Sequence, residues 1–339
     1  MQGALPCLHA AGAFTSLLGS ELPYITTASC RSSFQTSSFL HLWRGFCNFT
    51  IGTMLVLIGY IVAFGCIFGM YVLHGGSVGV LVKALPFEMV TIGGGALGAF
   101  IVSNQPKVLK ATAKAIPSAL KPSRYNKARY MEVMALLYEL LQKARKEGLM
   151  SIESDVEDPQ SSTVFQNYPQ LMADHHVVEF LTDYLRMMVS GNLNSHEIEA
   201  LMDSEIEAHH AEAHAPVMAL NRLAGALPAF GIIAAVLGVV NTMAFVGQPP
   251  AVLGGMIASA LVGTFLGILL AYALVEPMAA LLEQRAQDAA KEFECIKATL
   301  LASMQGYNPG TAIEFGRKVL FSTERPGFLE LESHVKGKK

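Results

Sequence analysis

The chain has 339 residues, of which 52% are hydrophobic and only 15% charged, with a mean hydropathy of +0.40. An ordinary soluble domain carries about 25% charged residues, so a disordered chain and a typical soluble enzyme are both poor fits. The net charge of −3 gives no basic field to attract a nucleic acid, and the five cysteines form no metal or disulfide spacing.

Residues 1–53 carry only Glu21, Arg31 and Arg44 as charges and have no clear periodicity. They resemble neither a signal peptide nor a membrane span. Met54 stands directly before the apolar run Leu55-Val56-Leu57-Ile58. It is read as the true start, which makes 1–53 a mis-assigned or disordered extension. A targeting or regulatory arm is the other reading.

Beyond this point the charges vanish in blocks. There is no Asp, Glu, Lys or Arg from Gly45 to Val82, from Met89 to Pro106, or through the 53 residues from Leu223 to Val275. A bilayer core needs about 20 apolar residues per helix, so the last block fits two spans, separated where Gly247-Gln248-Pro249-Pro250 breaks the helix. Four spans are predicted at 55–73, 88–104, 226–246 and 253–275.

Twelve Lys/Arg lie between Lys107 and Arg222, and nine lie from Arg285 to Lys339. The short segments 74–87 and 247–252 hold only Lys83. Positive residues stay on the inner side, so the long middle segment and both termini are predicted to be cytoplasmic. The fold class is all-α: a polytopic membrane protein with four transmembrane helices and a helical cytoplasmic domain. Its parts are the extension 1–53, spans one and two in 54–106, a cytoplasmic helical domain in 107–222, spans three and four in 223–277, and a cytoplasmic helix and tail in 278–339.

In the middle segment Tyr130, Met134, Leu137 and Leu141 recur at helical spacing. Met172, Val178, Leu181, Leu185 and Met188 repeat the pattern. Residues 154–168 read as a polar loop, and Ser195 as the N-cap of an acidic amphipathic helix. His210 and His214, with Glu207 and Glu212 near, read as a solvated helix face, and no metal ligand set is predicted.

Within the spans, Gly65/Gly69, Gly94/Gly98 and Gly263/Gly267 have close-packing spacing, within one chain or between subunits. The groups in spans one, three and four that can carry a proton are Tyr60, Cys66, Tyr71 and Tyr272; spans three and four hold no carboxylate or histidine. Membrane proton relays use Asp, Glu or His, so a proton-moving chain of this kind takes its carboxylate from another protein. Thr242, Ser259 and Thr264 either line a wet path or bond the preceding helical turn. Pro228 falls near the start of span three, where proline is routine. Pro277 falls inside a run that continues as helix and is predicted to kink it.

Several longer strings carry a resemblance. Leu227-Pro228-Ala229-Phe230-Gly231-Ile232 opens span three, and Val262-Gly263-Thr264-Phe265-Leu266-Gly267-Ile268-Leu269-Leu270-Ala271-Tyr272 fills span four. Glu197-Ile198-Glu199-Ala200-Leu201-Met202-Asp203, Glu314-Phe315-Gly316-Arg317-Lys318 and Glu324-Arg325-Pro326 lie outside the spans. From Met54 to about Val335 the chain resembles the MotA-type stator subunits of the bacterial flagellar motor, within the MotA/TolQ/ExbB proton channel family. The resemblance implies a homopentamer around two MotB chains in the inner membrane. There a MotB carboxylate is protonated and released, and the cytoplasmic domain turns the rotor protein FliG. A unit charge falling through 100 mV releases about 2.3 kcal/mol.

The resemblance also implies roles. Arg145, Glu153 and Glu205 match rotor-facing charges; Pro228 and Pro277 match the coupling prolines; Thr264 matches the threonine near the MotB carboxylate. Sodium-type relatives carry a threonine at the position of Ala235, so protons are the expected coupling ion, with no cofactor and no enzymatic activity. The competing reading is an ExbB/TolQ-like energiser subunit, whose chains usually have three spans.

Overall fold

The computed structural model describes residues 36–121, 123–191 and 194–337, with side chains from Met54 onward. The chain divides into two units, Met1–Gly45 and Phe46–Lys339, and the described side chains all belong to the second. The expectation of an extension over 1–53 lies outside the described residues up to residue 35; from Thr36 the backbone is helical.

Every regular element among the described residues is a helix. Four are long and apolar enough to cross a membrane. They are α1 (Thr36–Leu73, apolar from Met54), α2 (Val78–Ser103), α9 (Ser195–Met243) and α10 (Pro250–Met304). The others are α3 (Pro106–Ala119), α4 (Lys127–Glu147), α5 (Glu153–Glu157), α6 (Thr163–Gln166), α7 (Pro169–Met172), α8 (His175–Ser190), α11 (Pro309–Val319) and α12 (Phe328–Lys336).

Three boundaries differ from the sequence reading. First, α2 begins at Val78 rather than near residue 88, and the turn before it is only 74–77. Pro86 lies inside α2; a spanning helix tolerates proline because neighbouring helices and local π turns relieve it, and a π turn follows at Met89–Gly93. Second, the amphipathic helix and span three are one helix of 49 residues, α9, which passes through the expected boundary at 222/223. Pro216 and Pro228 are therefore interior to a helix, so Pro228 is not a helix-start proline. The cap is Asn194, one residue earlier than Ser195: its side chain accepts from Glu197 N, and the Glu197 carboxylate accepts from Asn194 N, forming a capping box. Third, the segment 154–168 is not a simple polar loop. It contains α5 and α6, and it buries Val156, Phe165 and Tyr168.

Span four and the following helix are likewise continuous in α10, 55 residues long. A π turn, Leu270–Val275, lies just before Pro277, where a kink was expected. The wider turn accommodates the ring of a residue that has no N–H to donate. At about 1.5 Å per residue, α9 and α10 are roughly 70–80 Å long, and they pack along one another. Their far ends enter the core of the polar helical domain. There Met134, Leu137 and Leu140 of α4, Leu185 of α8, Ile198 and Met202 of α9 and Ile296 and Leu300 of α10 are fully buried. Each such side chain contributes about 1.5–3 kcal/mol by burial. The two helices thus join the membrane bundle to this domain without an intervening loop.

Candidate functional site

The membrane site is built where α9 crosses α10. Gly231 and Gly267 allow the backbones to touch: a Cβ on Gly231 would lie 2.9 Å from Gly263 O, and one on Gly267 would lie 2.7 Å from Leu227 O. Any larger side chain would separate the helices, so this pair is a close-approach contact within one chain. Thr264 sits beside it and is partly buried. Ala235 is partly buried on α9, next to Ala234, whose Cβ would lie 3.1 Å from a Cβ on Gly263. Pro228 is partly buried one residue after Leu227, so the crossing unites Pro228, Gly231, Gly263, Thr264 and Gly267. Pro277 is not part of it. It is exposed and lines a separate groove of about 610 Å³ with Tyr60 and Tyr272, where Tyr60 Oη donates to Leu274 O at 3.1 Å.

Of the candidate hydroxyls, Thr242 bonds its own helix, donating to Gly238 O at 2.8 Å. The residue that sequence reasoning passed over is Glu88. The sequence reading put the start of span two at residue 88; with α2 starting at Val78, Glu88 is well inside the helix. Its Oε2 lies 2.8 Å from where a Cβ of Gly263 would be, one residue from Thr264. The signal was present in Val78-Gly79-Val80-Leu81-Val82, an apolar run preceding Lys83.

The second candidate region is a corner of the polar domain. Arg145 is exposed in the last turn of α4, and Glu153 is exposed at the start of α5. Gly148, at φ +90°, turns the chain between them. Lys143 Nζ donates to Asp155 Oδ2 at 2.7 Å and ties α4 to α5. Neither Arg145 nor Glu153 has a hydrogen bond or ion pair among the described residues, and Leu149 and Met150 stand exposed beside them. Glu205 differs. It sits on α9 and accepts from Tyr184 Oη at 2.6 Å; burial, then this bond, pushes the Tyr184 hydroxyl well above the ordinary tyrosine range. Arg145 and Glu153 are brought to one corner, whereas Glu205 is tied to α8.

The opposite end of α4 contains an ionic cluster that the spacing did not reveal. Arg129 is bidentate to Glu292, with Nε–Oε1 at 2.7 Å and Nη2–Oε2 at 2.9 Å, and Nη2 also reaches Asp174 Oδ2 at 2.7 Å. Burial works against the Arg129 charge, but Glu292 and Asp174 outweigh it and hold its proton more firmly than usual. A charge on the apolar stripe Arg129-Val133-Leu137-Leu140 was the visible hint. The tail strings are structural as well. Arg317 pairs with Glu314 at 2.7 Å and donates to Pro326 O at 3.1 Å, while Arg325 donates to Leu320 O at 2.7 Å.

Comparison with known proteins bears on this arrangement directly. Residues 57–148 match the family model for the motility protein A N-terminal region, and residues 172–295 match the MotA/TolQ/ExbB proton channel family. Motility protein A of Salmonella typhimurium is 50% identical over 283 residues, covering 84% of this chain and 95% of the relative. The chain belongs to the motility protein A family. Its Escherichia coli relative, also named motility protein A, is 49% identical over 84% of this chain and 96% of the relative. The Vibrio parahaemolyticus chemotaxis protein LafT is 38% identical over 82% and 97%.

Among solved structures, the Bacillus subtilis flagellar MotAB stator complex aligns with a TM-score of 0.63 at 25% identity, covering 84% of this chain and 98% of that one. The Campylobacter jejuni MotAB structure has the same fold, with a TM-score of 0.66 at 21% identity over 81% and 98%. This motility protein A family member is a multi-pass, all-α membrane protein of a proton channel family and not an enzyme. Its match to the motility protein A N-terminal model sets it apart from an ExbB/TolQ-like energiser.

Proposed function

We propose that this chain is the ring-forming stator subunit of a flagellar motor in the inner membrane. A MotB-like companion supplies a membrane carboxylate, and proton flow past it turns the ring against the rotor protein FliG. The observation that carries the reading is the 50% identity to a motility protein A over 84% of the chain. The apolar faces support assembly: Val102 is 89% exposed and Leu73 80% exposed. In water such faces would be an aggregation liability; lipid and further copies, five by family resemblance, would cover them. The basic residues after α2 and after residue 285 favour cytoplasmic termini and a cytoplasmic polar domain.

In this reading protonation at the level of Thr264 shifts the α9–α10 crossing, and Pro228 and Pro277 pass the motion along two unbroken helices. Unpaired Arg145 and Glu153 meet the rotor, with Glu205 as a third, anchored charge. Exposed pairs of this kind contribute below about 1 kcal/mol, which suits a contact remade at every step. Ala235 offers no side-chain oxygen for sodium, which favours protons. Deleting the chain is expected to abolish swimming while filaments still assemble, and expression from a plasmid together with the MotB-like companion to restore it. Absent filaments would contradict a pure torque role. Swimming that needs sodium and ignores a protonophore would reverse the ion assignment.

A further inference from the structure

We infer that Glu88 is a second proton-binding acid of the ion path, belonging to this chain itself. The inference rests on the reading that the chain conducts protons. Glu88 ends an 11-residue stretch of α2 that starts at Val78, in a spanning helix of 26 residues. At about 1.5 Å per residue it lies roughly 15 Å from one end and 22 Å from the other, inside a hydrocarbon layer about 30 Å thick. Its Oε2 is directed at Gly263, one of the three glycines of the α9–α10 crossing, at the level of Thr264. An alanine there would meet the carboxylate at 2.8 Å.

The surroundings hold no neutralising partner. Among the described residues no hydrogen bond or ion pair reaches the Glu88 carboxylate. Lys83 on the same helix is five residues nearer the membrane edge, where its long side chain can reach the interface. On the helices packed against α2, no Asp, Glu, His, Lys or Arg occurs between Arg222 and Glu276; Tyr272 is the titratable side chain in that stretch of α10. His74 and Tyr71 lie at the end of α1, in the groove that also contains Leu81.

An intramembrane acid without a countercharge is expensive when ionised and therefore binds a proton readily. The O–H bond forms at a carboxylate oxygen as the group becomes neutral. The same bond breaks when the proton moves on toward the companion's acid, which restores the carboxylate. Glu88 is partly buried by its own chain, which leaves part of its carboxylate free to face the companion. The π turn that begins at Met89 lets the helix adjust beside it.

The test uses the complete chain co-expressed with its MotB-like companion in a host without stators. Swimming speed is measured from about pH 5 to pH 8, together with membrane level and companion co-purification. Glu88→Gln, equal in size but unable to ionise, is expected to assemble normally, to lower speed by about tenfold or more, and to flatten its pH dependence. Glu88→Asp is expected to retain part of the speed with a displaced pH profile. Wild-type speed and pH profile in Glu88→Gln would overturn the inference. So would loss of assembly in that variant, because the side chain would then be a packing element. Failure of the wild-type chain to restore swimming would instead reject the stator reading. In that case proton conductance of the same complex in lipid vesicles still decides Glu88, as it must fall in Glu88→Gln and persist in Glu88→Asp.

Discussion

In the polar domain, α4, α8 and the far ends of α9 and α10 close around one continuous apolar core, with Arg129, Asp174 and Glu292 sealed beneath it. In the membrane part, none of the most apolar window of α1 is buried, and in α2 only 11% is. The α9–α10 crossing brings bare glycine backbones together, with only a small side-chain cluster, including Leu227, Ala234 and Leu266, packed beside them. The polar domain therefore buries a core of its own, which water drives together. Lipid supplies no such drive, so the spans depend on close backbone contact and on neighbours outside the chain. The two parts are joined by the unbroken helices α9 and α10.

The contrast can be broken at four places. The largest effect is expected in the polar domain from Arg129→Met, which strips Glu292 of its guanidinium and leaves Asp174 with Arg124 alone. A loss of about 3–5 kcal/mol is expected, seen as a lower thermal midpoint of helical dichroism in detergent. Adding Glu292→Leu is expected to return much of it; if the single variant melts like the parent, the cluster does not hold the domain.

Alkaline pH probes the same core. Burial, ahead of any neighbouring charge, raises the Tyr130, Tyr168 and Tyr184 hydroxyls above their ordinary value of 10.0. The sign follows from linkage. These groups contribute stability that is fully present below about pH 10 and lost as pH rises through their folded values, at about 1.4 kcal/mol per pH unit for each tyrosine. Tyrosinate absorbance and dichroism should then change together; independent tyrosine titration near pH 10 would mean the core is open to water.

In the membrane, Gly231→Val forces the helices apart, because its Cβ alone would lie 2.9 Å from Gly263 O. A loss of about 1–3 kcal/mol is expected, with reduced membrane level and no swimming. Gly225→Ala, where nothing lies within 4 Å, is the matched control and should behave as the parent within about 0.5 kcal/mol. The smallest stability effect is expected at the exposed corner. Arg145→Glu should leave melting within about 0.5 kcal/mol of the parent yet slow swimming, with partial rescue by an opposite charge on the rotor. Normal swimming in every rotor background would remove Arg145 from the interface.

Much of the fold was legible because lipid excludes charge. Blocks without Asp, Glu, Lys or Arg marked all four spans, and adjacent prolines marked the turn before Pro250. The stripe Tyr130-Met134-Leu137-Leu141 was read correctly as core, and all four residues are buried. The polar contacts were less legible. Arg129 and Glu292 are 163 positions apart, and no local pattern joins them. Thr242 looked like Thr264 in sequence, but its hydroxyl is already committed to Gly238.

The amino-acid sequence alone determined that the chain spans a membrane four times and carries a charged helical domain, because the exclusion of charge from hydrocarbon is a local property of each segment. Only the tertiary structure decided how deep Glu88 lies and what it faces. Depth depends on where a helix begins, and α2 begins at Val78 and runs through Pro86, with a π turn following at Met89–Gly93. Only the tertiary structure, too, united Gly231 with Gly263 and Gly267, because which glycines meet is fixed by the crossing of two helices and not by the spacing along either one.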